Sequence, residues 1–123
     1  MPRAPSLPNI LRQHAEMAAF LWTVYDYNLL NPGKNKEMDE ERMARLVERL
    51  DAHLDGLRLA GADGLKAAKE RYADFPEAGE VFVLRMLQPA ALELKVADIK
   101  PEKVRAYVAA ALRNRVQPGA PLP

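Results

Sequence analysis

The chain contains no cysteine, which excludes disulfides, thiolate metal centres, iron–sulfur clusters and cysteine nucleophiles together. Its single serine, Ser6, lies in a proline-rich leader where no general base could be held against it. An excess of one charge is also absent, because 18 basic and 17 acidic residues leave a formal net charge of +1. So balanced a chain has no bulk attraction to nucleic acid or to an anionic membrane.

Long apolar runs are absent as well. Residues 1–8 lack the apolar core of a signal peptide, and the apolar run at 17–22 is far too short to span a bilayer. With 123 residues, 49% of them hydrophobic and 28% charged, the composition is that of one globular domain. We therefore expect a cytoplasmic protein that does not associate with membranes.

What the sequence does contain is helical periodicity, which is strongest in two long segments that each carry one histidine. The first segment follows Asn9, a plausible N-cap, and should end near Leu30, where Asn-Pro-Gly breaks the helix. The second follows the N-cap Asp39 and should be closed by Gly61 as the first residue beyond its cap. These signals predict two consecutive helices.

The remainder of the chain also favours helices, although two segments are ambiguous. A third helix should carry Leu65 and Tyr72 on one side. The apolar run 81–87 fits either a buried helix or a buried strand by periodicity, and its helical surroundings favour the helix. Residues 92–96 alternate as a strand does but also fit a short helical turn. Pro101 then occupies the first position of a last helix.

These elements predict an all-α fold of about five helices arranged as antiparallel hairpins. We expect an extended arm at residues 1–8, a single helical domain at 9–116 and a disordered tail at 117–123.

The two histidines are a candidate polar site. The loop between the first two helices is short, so these helices should run antiparallel. His14 and His53 each lie about fifteen residues from that loop, and at a rise of ~1.5 Å per residue they should reach a similar height. Glu16 and Asp55 lie nearby in the sequence. A small metal site or a proton-transfer site at these four residues is the functional interpretation.

A purely structural interpretation competes with it. Zinc normally takes three or four protein ligands, and the chain has no further histidine at helical spacing from either of these two. Each imidazole can instead lie at the core edge, bonded to a carboxylate or a loop carbonyl. We therefore expect no catalytic residue, no metal and no cofactor, and we retain a metal-dependent or general acid–base enzyme as an alternative.

The aromatic residues of the first helix divide between two faces. Phe20 and Tyr27 share one face, whereas Trp22 and Tyr25 lie on another. Either the helix is buried on two sides, which core packing favours, or the face with Phe20 and Tyr27 is an interaction surface, because an exposed aromatic pair indicates a binding partner.

The C-terminal part of the chain is mildly basic. From Pro89 onward it holds six basic and three acidic residues. So small an excess argues against a nucleic-acid function, and a weak nucleic-acid binder through the last helix remains a second alternative.

Three segments of the chain form a recognisable pattern. They are Gln-His-Ala-Glu with Ala-Ala-Phe-Leu-Trp at 13–22, Leu-Asp-Ala-His-Leu-Asp-Gly-Leu-Arg-Leu-Ala-Gly at 50–61, and Gly-Glu-Val-Phe at 79–82. Together they resemble a functionally uncharacterised bacterial family of HEAT-repeat-like helical proteins. The similarity spans approximately residues 10–87, and His-Leu-Asp-Gly-Leu is its most specific part.

The resemblance implies an armadillo-like helical fold and a role by protein binding. Members are often encoded near type VI secretion genes, which implies an accessory, adaptor or immunity-like function with a secretion effector or component as partner. No catalytic residue is carried over. Family members continue for several more helical repeats, whereas this chain has only residues 89–116 beyond that region. Either the last helix caps a minimal version of the fold, or the chain is a fragment or degenerate copy, and without a cap it should expose a repeat edge and form a homodimer.

Overall fold

Five α-helices and two 3-10 turns make up the protein in the computed structural model, which describes residues 7–114. The helices are α1 (Leu7–Leu30), α2 (Glu40–Leu59), α3 (Ala62–Asp74), α4 (Ala78–Met86) and α5 (Pro101–Arg113), and the 3-10 turns are Pro89–Ala91 and Val96–Asp98. The described chain holds no strand, so the predicted all-α class is confirmed.

α1 begins earlier than the sequence predicts. It starts at Leu7, and Asn9 lies inside the helix rather than at its cap. Pro8 is tolerated there because the backbone amides of a first helical turn have no intrahelical hydrogen-bond acceptor. The N–H that proline lacks would therefore have made no helical hydrogen bond. The predicted extended arm is therefore wrong at Leu7 and Pro8. Residues 1–6 and the predicted disordered tail at 117–123 lie outside the described residues.

The other predicted helix boundaries are confirmed. The Asp39 carboxylate accepts a hydrogen bond of 2.9 Å from the backbone N–H of Arg42, and so caps α2. Gly61 follows the C-cap of that helix with a φ of 58°, in the left-handed region that favours glycine. Pro101 is the first residue of α5.

Neither of the two ambiguous segments is a strand. Residues 81–86 belong to α4, which is buried around most of its circumference, so its apolar residues need no strand to explain them. The strand alternative for residues 92–96 is wrong, because that stretch links the two 3-10 turns. The backbone N–H of Val96 donates 3.0 Å to the buried carboxylate of Asp51 on α2, which fixes the second turn.

α1 is the central helix, since α2, α3 and α4 all pack against it. Its contact with α4 is close, because a Cβ added at Gly79 would lie 2.4 Å from the carbonyl oxygen of Ala19. One turn further along, the Trp22 and Phe82 rings stack with centroids 5.1 Å apart.

α5 packs on α4 and reaches α1 through an ion pair of 2.6 Å between Arg105 and Asp26. Three helices thus cover one side of α1 and its flanks, and the opposite side faces solvent. Across residues 7–114, we find no helix that combines the length and the apolar character needed to cross a membrane.

Candidate functional site

The two histidines meet between α1 and α2, as the hairpin geometry predicts. Nδ1 of His14 lies 2.9 Å from Nδ1 of His53, and the ring centroids are 5.2 Å apart. Such a bond requires one imidazole to donate from Nδ1–H while the other accepts at an unprotonated Nδ1. The pair therefore tolerates one added proton but not two, because two imidazolium rings would present donor to donor.

The surroundings of His53 disfavour positive charge on its ring. Burial lowers the pKa of His53 below its ordinary value of 6.5, and the charges of His14 and Arg49 lower it further. His14 in turn lies directly over Gly56 of α2, where an added Cβ would come within 2.8 Å of the His14 ring. The absence of a side chain at position 56 is what lets the first imidazole reach the second.

The two carboxylates predicted to join the histidines are directed elsewhere. Glu16 lies 3.7 Å from Arg71 of α3, and Asp55 lies 3.3 Å from Arg58 on its own helix. Within residues 7–114, no three histidine, aspartate or glutamate side chains are placed to hold one metal ion. Both Nδ1 atoms are also occupied by their mutual hydrogen bond. As arranged, the pair links α1 to α2.

The aromatic residues of α1 lie on two faces as their spacing predicts, and the face with Phe20 and Tyr27 is exposed rather than buried. Trp22 is buried against α4, whereas Phe20 remains 58% exposed and Tyr27 53% exposed. Leu30, one turn beyond Tyr27, is 57% exposed.

A helix that packs against three others thus retains an uncovered apolar face. We call this face the α1 stripe and define it by the following six residues. They are Met17, Phe20, Thr23, Val24, Tyr27 and Leu30, with Met17 and Val24 partly buried.

A groove of about 380 Å³ lies beside the stripe, between α1 and the turn that joins α3 to α4. Phe20 and Thr23 form one wall, and Arg71, Glu77 and Glu80 contribute to the other. The groove therefore offers an apolar edge together with several polar groups, which is the composition of a contact surface.

A buried ion pair lies in the second wall of this groove. Nε of Arg71 donates 3.1 Å to Glu80, whose carboxylate is almost fully buried. Burial raises the pKa of the Glu80 carboxyl, while the hydrogen bond from Arg71 acts to lower it. The same guanidinium stacks on the Phe75 ring, 3.9 Å from its centroid. Arg71 thus ties α3 to α4 and holds the groove wall in place.

Sequence reasoning missed Arg71, Glu80 and Leu30 as members of this surface. Arg71 and Glu80 come together only through the packing of α3 on α4, so neither has a local signal. Leu30 did have one, because it continues the spacing of Phe20 and Tyr27 by three residues.

Comparisons with known proteins gave no match. No family model matches the chain, and no match was found among curated proteins or solved structures.

Proposed function

We propose that this protein is a non-enzymatic interaction module that binds a partner protein through the α1 stripe. The observation that carries the proposal is the exposure of Phe20 and Tyr27 on a face of the central helix that no helix within residues 7–114 covers. Aromatic side chains of this kind are enriched in protein interfaces and contribute much of their binding energy.

The surroundings of the stripe support a protein partner. Its exposed positions between residues 17 and 30 carry no charge, since the one charged side chain in that stretch, Asp26, is paired with Arg105. The adjoining groove adds both an apolar wall and hydrogen-bonding groups. An uncharged apolar centre with a polar rim is the usual anatomy of a protein interface.

The resemblance to HEAT-repeat-like proteins extends the proposal to a biological setting. In that setting the protein is a cytoplasmic accessory, adaptor or immunity-like component of a bacterial type VI secretion system. Its partner is then a secretion effector or another component of the apparatus.

The histidine pair favours no enzymatic alternative. His14 and His53 use their facing nitrogens on each other, and the nearest predicted carboxylates are held by arginines. The pair supports the interaction module by fixing α2 against α1, which leaves the stripe on a rigid helix.

Photo-cross-linking in living cells tests the proposal. Phe20 is replaced by benzoylphenylalanine, and Leu59, which is 90% exposed at the end of α2, carries the same group as a matched control. Illumination of cells is expected to give a discrete cross-linked protein from position 20, identifiable by mass spectrometry. Equal adducts from both positions, or none from position 20, would overturn the proposal.

A further inference from the structure

The α1 stripe is symmetric about its own midpoint. Residues 17 and 30 are equidistant from the point between residues 23 and 24, and so are residues 20 and 27. The symmetric pairs also match in character, because Phe20 is matched with Tyr27 and Met17 with Leu30. A helix face with this symmetry can meet a second copy of itself in the antiparallel direction, with Phe20 of each copy opposite Tyr27 of the other.

We propose that the partner bound by the α1 stripe is a second copy of this chain. The two α1 helices lie antiparallel across a two-fold axis that passes between Thr23 and Val24. The inference rests on the proposed function, since it assigns the occupant of the same surface. In such an isologous contact each pairing occurs twice, so Phe20 of each copy packs against Tyr27 of the other.

Charge favours the antiparallel arrangement. Glu16 lies just before the stripe, and Lys34 lies in the exposed loop just after it. Antiparallel pairing brings Glu16 of one copy toward Lys34 of the other at both ends of the contact. Parallel pairing would instead place Glu16 beside Glu16 of the second copy and Lys34 beside Lys34. The antiparallel form also aligns the two helix dipoles favourably.

The groove beside Phe20 gives the second copy a place to insert. The two-fold axis sets Tyr27 of the second copy opposite Phe20, at the mouth of the 380 Å³ groove. Its ring can pack on Phe20, while its hydroxyl meets the polar wall that includes Arg71 and Glu77. Edge-to-face or offset aromatic pairs of this kind add about 0.5–1.5 kcal/mol beyond their buried area.

The size of the contact predicts a weak, concentration-dependent dimer. An aromatic side chain offers roughly 150–250 Å² for burial, so a half-exposed ring contributes about 100 Å². Six side chains from each copy therefore bury roughly 800–1,000 Å² in total, just below the usual range of stable complexes. Association is accordingly expected in the micromolar range or weaker, and it should be readily trapped by a covalent bond.

Disulfide trapping tests the proposal, because the natural chain has no cysteine to interfere. In the proposed dimer the two copies of residue 23 flank the axis. Helix axes 8–10 Å apart bring their Cα atoms within the ~4.4–6.8 Å that a disulfide spans. Thr23→Cys is compared with Lys66→Cys, an exposed position on α3. Under mild oxidation, Thr23→Cys should form a dimer about tenfold faster or more, because the paired thiols react at a raised effective concentration.

Two further experiments determine the arrangement. Adding Phe20→Glu to Thr23→Cys should return the rate of dimer formation to that of Lys66→Cys. A mixture of Met17→Cys and Leu30→Cys should cross-link between the two variants faster than either cross-links with itself. Faster self-cross-linking would overturn the antiparallel arrangement. A Thr23→Cys rate no higher than that of Lys66→Cys would overturn the dimer.

The outcomes also separate this inference from the proposed function. If Thr23→Cys remains monomeric while the photo-cross-linker at Phe20 captures a different protein, the self-association is refuted and the interaction module stands. If neither experiment yields an adduct, both are refuted.

Discussion

The close approach of α4 to α1 should make Gly79 intolerant of any side chain. In Gly79→Ala, the new Cβ would lie 2.4 Å from the carbonyl oxygen of Ala19 and 2.9 Å from its carbonyl carbon. Ordinary van der Waals contact begins at 3.4 Å. The obstacle is helical backbone and cannot rotate away, so α4 must shift outward by about 1 Å and loosen the stacked Trp22 and Phe82 rings.

The expected magnitude follows from two opposing effects. Overpacking of this kind costs about 1–3 kcal/mol, and the higher helix propensity of alanine returns about 1 kcal/mol. Because the obstructing atom is rigid, the cost should lie near the top of its range, so the free energy of unfolding should fall by about 1–2 kcal/mol. Gly56→Ala is the matched control, since its Cβ would meet only the His14 ring at 2.8 Å.

The control should be nearly neutral. The His14 ring can turn aside at the cost of one neutral hydrogen bond, about 1 kcal/mol, which the gain in helix propensity offsets. Urea unfolding followed by the fluorescence of Trp22, the single tryptophan, measures both variants. The reasoning is refuted if Gly79→Ala is as stable as the natural protein or as Gly56→Ala.

Two further predictions concern the polar links of α2. The lowered pKa of His53 means that the unfolded chain binds this proton more readily than the folded one. The free energy of unfolding should therefore fall as the pH drops through and below 6.5. This loss should be smaller in His53→Gln when urea unfolding is compared at pH 8 and pH 5.5, and an unchanged loss would contradict the assigned role of the pair. Asp51→Ala should lower the free energy of unfolding by about 1–3 kcal/mol, because it leaves the buried N–H of Val96 without its acceptor. Asp51→Asn keeps an acceptor oxygen and should cost clearly less by thermal unfolding; equal losses would count against the hydrogen bond.

Local chemistry explains the parts of the fold that could be predicted. Asp39, Gly61 and Pro101 mark helix boundaries through their own hydrogen-bonding and backbone preferences, so the sequence alone sufficed to place them. The start of α1 could not be placed in this way. A proline near a helix N-terminus is compatible both with an extended arm and with a first helical turn, and nothing local to Pro8 distinguishes the two.

Residues 92–96 illustrate the limit of periodicity. Their alternation of apolar and polar side chains is typical of a strand, yet the segment lies between two 3-10 turns. The deciding interaction is the hydrogen bond from Val96 to Asp51, which lies 45 residues earlier in the chain. Such a non-local bond leaves no trace in the local pattern.

The candidate site likewise has features that local sequence predicts and features that only packing between helices produces. The meeting of His14 and His53 followed from loop length and helical rise, whereas their 2.9 Å contact depends on the small residue at position 56. The placing of Phe20 and Tyr27 on a different face from Trp22 followed from helical spacing, whereas their exposure depends on how the other helices pack on α1. The ion pair of Arg71 with Glu80 did not follow from spacing either, because only the packing of α3 on α4 brings the two together.

The central claim is that the uncovered face of α1 is a protein-binding surface, and photo-cross-linking at Phe20 in living cells tests it most directly. The account predicts a discrete adduct from position 20 that is absent from the equally treated, more exposed position 59. The adduct should be lost when Tyr27→Glu is added, because that substitution places a charge in the same face. An adduct that forms equally from position 59, or that survives Tyr27→Glu unchanged, would contradict the claim.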